Sequence, residues 1–139
     1  MLLSFDTDDI LYQVLAASDA LKATLSGGIY NTDRPDNSDK EDIAINTIAV
    51  NGSMPQGGTS NVNIHVSDLC LTIKGQVQRK VNRERLREIV GLVMSVLEAA
   101  SVEGLLFWVS NEVTIAEPAV NQHYTNLRIE WNIQKTKNN

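Results

Sequence analysis

Apolar positions recur along this chain with two different periods. Ile10, Leu11, Val14, Leu21 and Leu25 fall at helical spacing, with Ala17 and Ser18 in the middle of the stripe. That pattern predicts an amphipathic helix over residues 6–25. Asp6 is placed to cap it, Asp8 and Asp9 suit the positive end of the macrodipole, and Gly27-Gly28 stop it. A second helix is marked by Leu86, Ile89, Val90, Val93, Leu97 and Ala100. Asn82 is its N-cap, Gly104 its end, and Gly91 and Ser95 are small enough for close packing.

The other period is two. Val62, Ile64 and Val66 alternate with Asn61, Asn63 and His65, which predicts a strand over 59–67 with one buried and one wet face. Ile43–Val50 is a strand whose parity changes at Asn46-Thr47, the mark of a bulge. Leu69, Leu71 and Ile73 alternate on odd numbers, so the phase flips at Ser67-Asp68. Either a bulge lies there or the chain begins something new. Leu105, Phe107, Val109, Val113 and Ile115 form one alternating row, and Leu127, Ile129, Trp131 and Ile133 another. Separated by Pro118, these two runs predict an antiparallel pair.

Ile29-Tyr30 starts a short extended piece. Residues 31–42 and 51–60 are polar, contain Pro or Gly, and are long enough to suggest a functional or mobile role. Residues 134–139 are a polar tail expected to fray. The expected fold is a single α+β domain over 1–139, in the order α-β-β-β-α-β-β. A mostly antiparallel sheet would carry both helices on one face.

Composition changes this picture little: 139 residues with 42% hydrophobic and 21% charged positions suit an ordinary globular domain. Cys70 is the one cysteine, so no internal disulfide is expected. Neither a secretory leader nor a membrane-spanning run is expected. Charge adds more. Residues 1–73 hold three basic and ten acidic side chains, whereas 74–139 hold nine basic and seven acidic. With a net charge of −5, any attraction to nucleic acid must be local.

Candidate chemistry is sparse. His65 and Asp68 are near in sequence, but no nucleophile elbow accompanies them, and a histidine on the polar face of a strand is usually solvated or at an interface. His65, His123 and Cys70 lack metal-ligand spacing. Asp33, Asp36, Asp39 and Asp42 lack the ligand spacing, central Gly and final Glu of an EF-hand. Gly27-Gly28 and Gly57-Gly58 do not make a phosphate loop. No enzyme activity, metal or cofactor is expected.

The main chemical signal is basic. Lys74, Arg79, Lys80, Arg83, Arg85 and Arg87 are six of twelve basic residues within fourteen positions. Three of them enter a helix N-terminus, where the macrodipole opposes each exposed cation by about 0.3–1 kcal/mol. An acidic partner would compensate them: nucleic acid, a neighbouring subunit, or the chain's own acidic loop. The plain alternative is a solvated face with the long stems packed along it.

The layout resembles phage tail terminator proteins, also called tail completion or head–tail joining proteins. The features that carry the resemblance are a first helix ending in Gly27-Gly28-Ile29-Tyr30, the Arg34-Pro35-Asp36 segment and strand Ile43–Val50. Asn61-Val62-Asn63-Ile64-His65-Val66 before Asp68, a helix entered through Arg85-Leu86 and a final antiparallel pair complete it. Residues 69–80 look longer and more strand-like than is common there. The resemblance implies a non-enzymatic assembly part of the virion tail or neck, put together in the bacterial host cytoplasm. It implies a ring, typically of six subunits, that caps the tail tube protein and meets the head connector protein. DNA would pass through its lumen without sequence readout. The interface candidates are Asn61, Asn63 and His65; the six basic residues named above; and Asp33, Asp36 and Asp39. An alternative is a double-stranded RNA-binding module, which has a similar α-β-β-β-α order but not the acidic total or the last strand pair.

Overall fold

A computed structural model describes residues 1–134 of the chain. The expected fraying falls largely on 135–139, outside the described residues. Gln134 itself is tied down, its N–H donating to the Gly104 carbonyl at 2.8 Å.

The N-terminal stripe forms two helices instead of one, α1 (Ser4–Ala16) and α2 (Asp19–Thr24). The break falls at Ser18, whose hydroxyl accepts from the Leu21 N–H and caps α2. A serine side chain that bonds the local backbone competes with helix continuation, which the apolar spacing does not report. Asp6 lies inside the first turn, its carboxylate accepting from the Leu3 N–H at 2.7 Å.

Five strands form one mixed sheet in the order β1-β2-β3-β7-β6. They are β1 (Ile29–Asn31), β2 (Ile43–Val50), β3 (Gln56–Ser67), β6 (Leu105–Glu117) and β7 (Gln122–Ile133). Only β1 and β2 run parallel. Parallel neighbours require the chain to return to the same end before pairing. Residues 32–42 are that return, so their length follows from topology and not from disorder. β3 starts earlier than expected, taking in Gly57-Gly58, and the remaining loop 51–55 is closed by Asn51. The Asn51 side-chain oxygen accepts from the Ser53 and Gly57 N–H groups. The bulge expected in β2 lies between Thr47 and Ala49, with Ile48 unpaired.

At Ser67-Asp68 the chain leaves the sheet. β4 (Leu69–Ile73) and β5 (Gln76–Lys80) form a separate two-stranded hairpin. Lys74 and Gly75, the two turn residues, both have positive φ (51° and 78°). That is the backbone of the tight turn matching the twist of paired strands.

α3 (Arg83–Ala99) is capped as expected, the Asn82 side chain accepting from the Arg85 N–H. It ends at Ala99, before Gly104. Gly91 is exposed and a Cβ there would meet open space among the described residues, so no close helix packing calls for a glycine there. Leu11 and Leu15 of α1, Leu86, Ile89, Val93 and Leu97 of α3, and the inward residues of β2, β3 and β7 form one core. Val62, Ile64 and Val66 lie at its centre, under the helices.

A chain of hydrogen bonds crosses that core. Trp131 Nε1–H donates to Ser60 Oγ, Ser60 and Thr47 share a hydrogen bond, and Thr47 Oγ1–H donates to the Asp8 carboxylate at 2.6 Å. Burial pushes the Asp8 carboxyl above its ordinary value, against the lowering effect of Thr47. Ile64 is fully buried. Ile64→Ala should lower the unfolding free energy by about 2–5 kcal/mol in urea titration; a cost under about 1 kcal/mol would place the core elsewhere.

Candidate assembly surfaces

The basic segment divides in two. Arg85 turns inward, its Nε and Nη2 donating to the two Glu41 carboxylate oxygens at 2.6 and 2.7 Å. Nη2 also donates to the Thr24 carbonyl, and Nη1 to Glu88 at 3.1 Å. This fork ties the start of α3 to the end of α2 and to the crossover loop. It holds the Glu41 carboxyl below the ordinary glutamate value, chiefly through the Arg85 hydrogen bonds. Lys74, Arg79, Lys80, Arg83 and Arg87 are exposed instead, the first three on the β4–β5 hairpin and the last two at the start of α3.

Asp33, Asp36 and Asp39 are exposed on the crossover loop. The Asp39 carbonyl accepts from Ser67 Oγ–H at 2.8 Å, which sets the loop against the end of β3 where the hairpin departs. Residues that did not stand out in the sequence hold this loop. Asp42 is 1% exposed, and its carboxylate accepts from the Gly28 N–H, Arg34 Nη1 and Ser38 Oγ. Gly27 makes room for it, since a Cβ there would lie 1.9 Å from Asp42 Oδ1. Arg34 Nη2 continues to Glu117 at 3.2 Å and to the side-chain oxygen of buried Gln122 at 2.7 Å. Only the Arg34-Pro35-Asp36 segment signalled any of this, and nothing in its spacing named Asp42, Glu117 or Gln122 as partners.

His65 belongs to the same cluster. Its Nδ1 lies 3.0 Å from Glu117 Oε1, and its ring is 5.1 Å from that of Tyr124. A carboxylate only accepts, so Nδ1–H donates. Burial, then the Arg34 charge, pushes the His65 pKa below its ordinary value, leaving the ring neutral at pH 7. Asn61 and Asn63 face away from the helices, as their alternation requires. Both enter a ladder of amides across three strands. Asn61 Nδ2–H donates to Asn46, and Asn126 Nδ2–H donates to both Asn61 and Asn63. The basic and polar-face candidates are therefore not one site.

The outer strand departs from the expected single apolar row in one respect. Leu105, Phe107 and Val109 face the helices, but the register shifts between Val109 and Asn111. Past that bulge, Glu112 and Thr114 take the helix side, while Val113 and Ile115 turn to the helix-free side. Val113 and Ile115 are exposed in consequence, on the face where Leu106 and Trp108 already stand exposed by alternation. An open groove of about 650 Å³ runs between α3 and this half of the sheet. Arg83, Arg87, Gly91, Glu112, Thr114 and His123 are among the residues lining it. His123 Nδ1 lies 2.5 Å from Asp68 Oδ1. Among the described residues, no group of three His, Cys, Asp or Glu is placed to hold a metal ion. No helix among the described residues is long and apolar enough to cross a membrane.

No protein-family model and no curated relative matches this chain. Its fold does match a chain from the virion of a native gene transfer agent particle. The two are 12% identical, with a TM-score of 0.61 over 90% of this chain and 92% of that one. At that identity the likeness is one of fold.

Arg34→Ala leaves the Asp42 carboxylate buried beside too few donors, and should cost about 3–5 kcal/mol in denaturant titration. The Arg83→Glu/Arg87→Glu pair, exposed, should stay within about 1 kcal/mol of the parent. Glu41 contributes stability that is complete above the ordinary glutamate value of 4.5 and is lost as pH falls through its lowered folded value. Thermal melts between neutral and acid pH should therefore show a shallower acid loss in Glu41→Gln; an unchanged slope would remove Glu41 from the acid response.

Proposed function

We propose that this chain is a non-enzymatic structural part of a phage-like particle, needing no cofactor. It acts as a tail terminator, closing into a ring, typically of six copies, that caps the tail tube and joins it to the head connector. Its place would be the tail or neck of the virion, after assembly in the bacterial host cytoplasm. DNA would pass through the ring without sequence readout. The observation that carries the reading is the fold shared, over nine-tenths of both chains, with a chain of a gene transfer agent virion.

The distribution of charge supports it. Head-to-tail contact in a ring joins two different surfaces of one chain, and opposite charge on the two favours that register. Here the hairpin and the start of α3 present five exposed cations, while the crossover loop presents Asp33, Asp36 and Asp39. The double-stranded RNA-binding alternative gains nothing from the geometry. β7 lies between β3 and β6, so the last strand pair is built into the sheet, and Arg85 is turned away from solvent partners.

Light-scattering mass and negative-stain images of the concentrated protein should show closed rings, or a monomer that caps tubes once tail tube subunits are added. A strict monomer that neither binds tubes nor limits their growth would falsify the reading. Arg83→Glu/Arg87→Glu should weaken assembly without loss of fold; unchanged assembly would remove these two residues from the contact.

A further inference from the structure

The sheet has two edges, and they differ. β1 is three residues long, whereas β6 is thirteen, with only its β7 side paired among the described residues. Long exposed edges are usually blunted by Lys or Pro. From Leu105 to Glu117 there is no Lys, Arg or Pro, and beyond the bulge residues 111–117 pair with β7 in unbroken register. Val113 and Ile115 stand exposed on this stretch.

The β4–β5 hairpin is the complementary feature. Among the described residues its strands pair only with each other, and nine of their ten residues are exposed, Leu69, Leu71 and Ile73 among them. A two-stranded hairpin alone in water is marginal. The charges of the two features are opposed. Residues 69–83 carry four basic and no acidic side chains, and residues 103–117 carry three acidic and no basic ones.

We propose that β4 of one copy adds as a strand to residues 111–117 of β6 in a second copy of this chain. This rests on the ring reading and names its contact. The apolar row of β4 continues the Val113 and Ile115 row across the new strand pair, as cross-strand neighbours do on one face. Period two then fixes the rest. Cys70 lies on the opposite face of β4, so it stands on the side of Glu112, Thr114 and Ala116. Because donor and acceptor are different surfaces, each copy both gives and receives, and the contact repeats head to tail.

Cys70 is exposed and the chain's one cysteine, so it serves as a native probe. Single cysteines are placed at Glu112, Thr114 or Ala116 on one face, and at Val113 or Ile115 on the other. The full chain is oxidised and run on non-reducing gels. At least one of the first three should give covalent dimers and higher ladders that vanish with Cys70→Ser, whereas the last two should give none. All five positions are exposed, and circular dichroism of each variant checks the fold. Closed rings without any cross-link from the first face overturn this contact and leave the ring reading standing. Cross-linked open chains that never close support the contact and overturn the ring. A protein that stays monomeric at high concentration, gives no cross-link and neither binds nor caps tail tubes overturns both.

Discussion

The Asp42 carboxylate is the constraint on which one end of the molecule depends. A buried charge is tolerated only when it is paired and its lone pairs are satisfied. Here the partners come from the start of β1, from Arg34 and from Ser38, and the Asp42 carbonyl accepts from the His65 N–H of β3. Arg34 passes the tie on to Glu117 and Gln122, at the far ends of β6 and β7. Four segments distant in sequence thus converge on one ion pair. The crossover loop is held as part of the fold, and its remaining acids, Asp33, Asp36 and Asp39, are left on the surface.

A second fork works at the helix layer. Arg85 draws α2, the crossover loop and α3 together through Glu41 and the Thr24 carbonyl. The same basic run therefore contains one residue spent within the fold and five directed outward. Arginine suits the inward place because its planar fork satisfies both carboxylate oxygens at once. The outward five lie on the hairpin and the first turns of α3, where no described residue forms an ion pair with them. Local repulsion at a helix N-terminus is then left for a partner to relieve.

The bulge between Val109 and Asn111 shapes the opposite side. By changing which residues of β6 face the helices, it exposes Val113 and Ile115 and leaves Glu112 and Thr114 over an open groove. One extra residue in a strand thus separates the part of the sheet that completes the core from the part that lies open. The hairpin β4–β5 departs from the Ser67 end of β3, level with the open half of β6, but β7 lies between the two strands, so the open edge and the unpaired hairpin are separate features of one chain.

Period and capping chemistry were legible in the sequence wherever one face of an element is buried by its own neighbours. Val62, Ile64 and Val66, the Asn82 cap and the bulge in β2 all follow from such local rules, and so does the α+β class. Several things did not follow, each because a distant group decides it. Ser18 divides a stripe that looks continuous, since side-chain capping competes with helix spacing. Val113 and Ile115 keep an odd-numbered alternation but change face, since register belongs to the pairing with β7. Arg85 reads like its basic neighbours until Glu41 is brought beside it, and Asp42 looks like any acid of a polar loop until Gly28, Arg34 and Ser38 surround it. The sequence by itself determined the α+β class, the core rows of α3, β3 and β7, and the uneven charge. Only the tertiary structure decided which charges are consumed inside the fold and which remain exposed, because ion pairs form between groups that sequence distance does not relate.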